Sequence, residues 1–299
     1  MSAFSDRPGV LSYAGDLRRE LSLRNQQYAR RLQLLSRESY GEPPSICYLP
    51  SEDGTRHGNF LRESYSAIMR NPSWRKRLEK AHTQARSALP REDRAWKELD
   101  SCNSSDALLM NIFCFPGTLK NASALNLLAV EHGSIPQFGF KARVPLANGR
   151  ADRTEVDMRL GDLLVESKLT ESDFQCREVT VMEGYRDFAQ VFDRRSLPRE
   201  GCRYVSYQLI RNVLAAYHGH CSFCVMLDAR RPDLREAWFA VMSCIRIVDL
   251  RLRCKVLTWQ ELAEALPGRI QRFLRQKYGI AAVNSAPTAF GYESFTANV

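Results

Sequence analysis

The stretch Arg153-Thr-Glu-Val-Asp-Met-Arg-Leu-Gly-Asp-Leu-Leu-Val-Glu-Ser-Lys-Leu169 constrains this chain more than any other. Val156, Met158 and Leu160 alternate with polar residues, and Leu163-Leu164-Val165 follows as a short apolar run. Period-two alternation predicts a strand, and Leu160-Gly161-Asp162 predicts the tight turn that folds it into a hairpin. Side chains two apart on a strand share a face. Glu166 and Lys168 therefore point the same way, and the hairpin brings Asp157 alongside them. The spacing by itself is common, arising by chance roughly once in a chain of this length. The setting carries the weight. Apolar residues flank both acids, and buried strand positions rarely hold charge without a reason. Two carboxylates and an ammonium converging on a sheet suit a divalent cation and a phosphate. The competing picture is a solvated hairpin with ordinary surface charges.

Around this hairpin the pattern predicts helices at 15–38, 59–68, 72–87, 92–100, 106–115 and 122–130, with a loop at 41–58 where Pro and Gly cluster. Ser104 or Ser105 caps the helix that starts at Asp106. A first core strand is expected at 137–144. After the hairpin come helices at 182–192 and 204–217, a strand at 222–227, a helix at 233–241, a further strand at 245–249, and helices at 259–265, capped by Thr258, and 269–278. The order predicts an α/β fold, a small mixed sheet with helices on both faces. Residues 1–98 read as an N-terminal helical extension, 99–283 as the sheet-bearing domain, and 284–299 as a poorly ordered tail.

The 299 residues suffice for a sizeable core, and no apolar run approaches the ~20 residues of a membrane span. With no apolar signal core at the N-terminus, a cytoplasmic location is the expectation. The net charge of +9 favours a polyanionic partner and disfavours a strongly basic substrate. The nine cysteines read as reduced thiols. His218, His220, Cys221 and Cys224 lie close enough in sequence to raise a zinc site. However, Phe223–Leu227 reads as a buried strand that sets the two cysteines on opposite faces, and no second Cys or His pair stands at zinc-finger spacing.

Asp157, Glu166-x-Lys168 and the helix that follows resemble the PD-(D/E)XK nuclease superfamily, in particular its stand-alone restriction-endonuclease-like bacterial members. Val156 stands where the family name has proline. The resemblance covers about residues 100–245. Ser104-Ser-Asp-Ala-Leu-Leu-Met-Asn111 is similar to the helix before the core sheet, and Tyr207-Gln-Leu-Ile-Arg211 to the glutamine-bearing helix that approaches the active site. The resemblance implies a restriction-endonuclease-like core of order α-β-β-β-α-β and a metal-dependent nuclease acting on phosphodiester bonds, with DNA the favoured substrate. It implies Mg²⁺, with Mn²⁺ as a substitute, held by Asp157 and Glu166, and Gln208 on the metal water or a phosphate. Lys168 would orient the attacking water or steady charge on the phosphate.

Other acids are weighed beside these. Glu155 shares the face of Asp157, where a surface charge competes with a metal role; Asp106 and Glu131, on helices before the sheet, are candidates for an additional metal ligand, with a cap or surface role the commoner one; Glu171, just past the strand, is expected to lie beyond the ion's ligands. Arg211, one turn past Gln208, is expected on the nucleic-acid backbone. Many nucleases of this fold dimerise, so a homodimer stays open, although the sequence carries no interface signal. An inactive nucleic-acid-binding or assembly protein of the same fold is the alternative. A glycosidase would also use paired acids, but it has no role for a lysine two residues past the second one.

Overall fold

The alternation around Asp157 folds as a hairpin, Glu155–Leu160 returning as Leu163–Ser167, with Met158 opposite Val165 and Leu160 opposite Leu163. Gly161 opens the turn at φ +57, a backbone region that side chains resist. The computed structural model of the chain describes residues 12–39, 44–81 and 97–282. Within them the hairpin is the middle of a five-stranded mixed sheet. Its order is Cys254–Thr258, Ser222–Leu227, Leu163–Ser167, Glu155–Leu160, Gln137–Lys141. The last three strands run antiparallel, whereas Ser222–Leu227 lies parallel to both Leu163–Ser167 and Cys254–Thr258. Leaving aside the shorter helices and strands between them, the chain runs through helix Ser105–Phe113, three strands of this sheet, helix Tyr207–His218 and then a parallel strand.

Strand Ser222–Leu227 is apolar on both faces, as a parallel strand covered from both sides requires. On one side Phe223, Val225 and Leu164 pack with Leu209, Ile210 and Val213 of helix Tyr207–His218 and with Trp238. On the other, Cys224, Met226 and Val165 meet Leu108 and Ile112 of helix Ser105–Phe113, Leu17 and Leu21 of helix Tyr13–Arg31, and Phe273 and Leu274 of helix Gly268–Tyr278. Among the described residues no helix is long and apolar enough to cross a membrane.

Several boundaries differ from expectation, each for a physical reason. The first helix stops at Arg31, where Gln33 turns to φ +50. Ser36–Glu38 then pairs with Ile46–Tyr48, inside the expected loop at 41–58, in strands too short to show a period. The expected helix 182–192 is two short turns, Val179–Met182 and Phe188–Val191, separated around Gly184. The strand expected at 245–249 is absent: Ile245 makes a single bridge to Phe192, Val248–Leu252 is helical, and the edge strand is Cys254–Thr258. Helix 92–100 survives within the described residues only as a 3₁₀ turn, Glu98–Asp100, and helix 72–87 as Pro72–Arg77. The tail at 284–299 lies outside the described residues. Ser104 caps the helix it precedes through the Ala107 N–H, and Thr258 forms a capping box with Glu261.

Lys277 ties the N-terminal segment to the last helix. Its buried Nζ donates to Asn25 Oδ1 at 2.8 Å and sits 3.6 Å above the Tyr48 ring. Burial without a carboxylate partner holds its pKa well below the ordinary lysine value. A lysine with a lowered folded pKa binds more protons when unfolded, so stability rises with pH from that folded value up to about 10.4, by at most about 1.4 kcal/mol per pH unit. Urea denaturation at pH 7, 8 and 9 is expected to show the native protein gaining stability relative to Lys277→Met as pH rises. A constant difference would show that Lys277 keeps its charge on folding.

Candidate active site

Asp157 lies where the strand changes sides. Val156 packs in the core beside helix Tyr207–His218, yet Met158, two residues on, packs in the opposite core. Gly139, the neighbour across the sheet, takes φ +65, and the same crossing separates Phe138 from Phe140. Asp157 is thus turned out of simple alternation. Its Oδ2 accepts from the Ser167 N–H at 2.7 Å and Ser167 Oγ at 3.0 Å. Extending the hairpin register one step sets it opposite Glu166.

Glu166 is 3 % exposed and fully engaged. Lys168 Nζ donates to its Oε1 at 2.7 Å, and Asn212 Nδ2 to its Oε2 at 2.8 Å. Arg211 Nη1 donates to Asn212 Oδ1 at 2.8 Å, which fixes the way round the amide lies. The backbone of Lys168 is pinned on both sides, its N–H giving to Met226 O at 2.8 Å and its C=O taking the Trp259 Nε1–H at 2.9 Å. Its Nζ lies 5.4 Å above the Phe174 ring.

The charges do not balance evenly. Burial, then the neighbouring charges of Glu166 and Asp106, push the Asp157 carboxyl well above the usual carboxylate range. Burial opposes the charge on Lys168, but Glu166, Glu171 and Asp157 outweigh it and raise its pKa. Asp106 is also buried, yet Lys80 at 2.8 Å and Arg77 at 3.0 Å hold its carboxyl below the usual range. Asp157 is therefore the under-compensated member of a negative cluster.

The other acids are placed as follows. Glu155 is half-exposed and pairs with Arg77 at 2.6 Å, so one guanidinium bridges it to Asp106. Glu171 accepts from Ser105 Oγ and the Leu169 N–H, both at 2.6 Å, closing the loop after Lys168. Glu131 is exposed in a turn. Gln208 stands one helical turn before Asn212, with its buried Oε1 lacking a hydrogen-bond partner among the described residues. Arg211 corrects an expectation. It is 1 % exposed, not free for a nucleic-acid backbone, because it is spent on Asp152 at 3.3 Å, on the Thr154 carbonyl and on Asn212. Cys221 and Cys224 pack in opposite cores. Among the described residues no three His, Cys, Asp or Glu side chains gather as a metal-binding group. Asp157 and Glu166 thus offer two hard oxygen donors, the kind of set Mg²⁺ takes when it retains several waters.

Asn212, Arg77, Lys80 and Arg231 escaped the sequence reading. Arg231 is fully buried; it pairs with Asp233 at 2.7 Å and donates to the carbonyls of Leu169, Glu171 and Ser172, clamping the loop that leaves Lys168. Only Asn212 had a local signal, its i+4 spacing from Gln208. Arg231→Met leaves the buried Leu169 carbonyl and the part-buried carbonyls of Glu171 and Ser172 without this donor and is expected to cost about 2–3 kcal/mol, measurable as a lowered urea midpoint.

Fold and site together define an α/β protein whose central hairpin carries an acid, acid, lysine centre, with Glu166 and Lys168 buried and Asp157 partly exposed. The chain belongs to the family described as Restriction Endonuclease associating with ARP, whose model matches residues 25–279. That span takes in the hairpin, helix Tyr207–His218 and both parallel strands. No curated protein and no solved structure matches the chain.

Proposed function

We propose that this protein is a metal-dependent nuclease of the PD-(D/E)XK type that hydrolyses phosphodiester bonds in DNA. The observation that carries the reading is the hairpin centre. Lys168 is held 2.7 Å from Glu166, and Asp157 stands beside them with its negative charge under-compensated. A divalent cation relieves that imbalance. The succession helix, three strands, helix, parallel strand supports a restriction-endonuclease-like core, and family membership supports a nuclease.

In this reading Asp157 and Glu166 would hold Mg²⁺, or Mn²⁺ in its place, with the Ser167 carbonyl as a further donor. When bound, the ion neutralises the phosphate and lowers the pKa of a coordinated water. Asn212 keeps Glu166 oriented. Lys168 is held protonated, so it serves as a cationic donor to the phosphate or the attacking water and not as a base. Gln208, whose Oε1 has no hydrogen-bond partner among the described residues, would accept a hydrogen bond from a water there. The net charge of +9 favours a polyanionic substrate, nine free thiols favour the cytoplasm, and the association with ARP in the family description is proposed for this chain too.

Supercoiled plasmid, single-stranded DNA and RNA, each with Mg²⁺, Mn²⁺ or EDTA, test the reading. Cleavage of DNA that needs the metal is expected. Tight DNA binding with no cleavage under any condition would instead assign an assembly role.

A further inference from the structure

Away from the hairpin, the N-terminal segment encloses a cleft of about 510 Å³, within the usual range for small-molecule sites. One wall is apolar. Leu49 and Met69, 37 % and 36 % exposed, face it beside Pro50. The lining is also cationic, with Arg75 and Lys76 exposed on helix Pro72–Arg77. Among the described residues neither has an acidic partner. The two acids that line the cleft are already occupied. Glu79 pairs with Lys97 at 3.0 Å, and Asp100 meets His57 Nε2 at 3.1 Å. His57 Nδ1 accepts the Asn59 N–H, so Nε2 carries the proton given to Asp100.

Apolar side chains, together with cations that have no acidic partner among the described residues, suit a ligand with one apolar end and one anionic end. We propose that this cleft binds a nucleoside 5′-phosphate, its base against Leu49 and Met69 and its phosphate on Arg75 and Lys76. The segment that lines the cleft also reaches the hairpin. Arg75, Lys76, Leu78 and Glu79 face the ligand space, while Arg77 and Lys80 from the same run donate to Asp106.

Binding is separable from the nuclease reading, and calorimetry in EDTA measures it without any metal. AMP, ADP and ATP are titrated, with pyrophosphate, adenosine and a 5′-phosphorylated oligonucleotide as comparators. At least one nucleotide is expected to bind the native protein more tightly than pyrophosphate or adenosine. Arg75→Glu/Lys76→Glu is expected to weaken it by about a hundredfold, roughly tenfold per reversed charge. Leu49→Ala, an exposed change that leaves the fold intact, is expected to weaken the nucleotide and not pyrophosphate. No binding at millimolar nucleotide overturns the proposal, as does unchanged affinity in the double variant. Equal affinity for pyrophosphate removes the base from it, and preference for the oligonucleotide reassigns the cleft to a strand end.

Discussion

Lys168→Ala is expected to slow metal-dependent DNA cleavage by about two to three decades, the loss of one donor worth about 3–4 kcal/mol in a water-poor site. The argument rests on where the ammonium is held. Its stem is buried, its backbone is fixed by Met226 and Trp259, and Glu166 sets its Nζ at 2.7 Å. Such a group needs no reorganisation when charge develops on the phosphate. Single-turnover rates at saturating Mg²⁺ isolate this step from metal affinity. Affinity should hold or rise, because removing a cation from beside Glu166 favours a second one. The variant leaves Glu166 buried with one partner, Asn212, so near-UV circular dichroism must accompany the rate. Lys168→Gln, which keeps the stem and a donor, serves where Ala unfolds. A folded variant cutting at the native rate would leave Lys168 as a mere counter-ion to Glu166.

Much of this centre was legible because it is local. Val156, Met158, Leu160 and the turn at Gly161 declare a hairpin, and a hairpin brings Asp157 to Glu166 without help from the rest of the chain. What surrounds the centre is not local. Arg77, at the end of a helix, and Lys80, just past it, stand 26 to 29 residues before Asp106, and Arg231 reaches back about 60 residues to the loop after Lys168. No period or spacing announces such partners. Arg211 shows the same limit from the other side: on a helix its side chain looked free, and only its packing against Asp152, 59 residues earlier, shows that it is buried. The edge strand was misplaced for a different reason. Ile245-Arg-Ile-Val248 alternates as a strand should, while Cys254–Thr258 shows little alternation, because its pairing is to a parallel neighbour buried on both faces.

Asp157→Asn is expected to abolish cleavage and yet raise the thermal midpoint of the metal-free protein. The amide keeps an acceptor for the Ser167 N–H and Oγ, so the hydrogen bonds that fix the side chain persist. It loses the charge that burial, Glu166 and Asp106 all disfavour. A carboxyl whose folded pKa is raised binds more protons folded than unfolded between about 3.9 and that raised value, so stability falls as pH climbs through that window. The native protein should therefore lose midpoint between pH 5 and pH 8 relative to Asp157→Asn. At pH 8 the variant should melt above the native protein, by about 2–4 °C, the ordinary scale of a single stabilising substitution. Mg²⁺ should reverse the ranking, since a cation that binds only the folded native protein stabilises it by mass action and finds one of its two carboxylates gone in the variant. Differential scanning fluorimetry at both pH values, with EDTA and with Mg²⁺, reads all of this at once. A native protein that Mg²⁺ leaves unmoved, or a variant that melts lower at pH 8, would mean that the carboxylate serves the fold and not an ion.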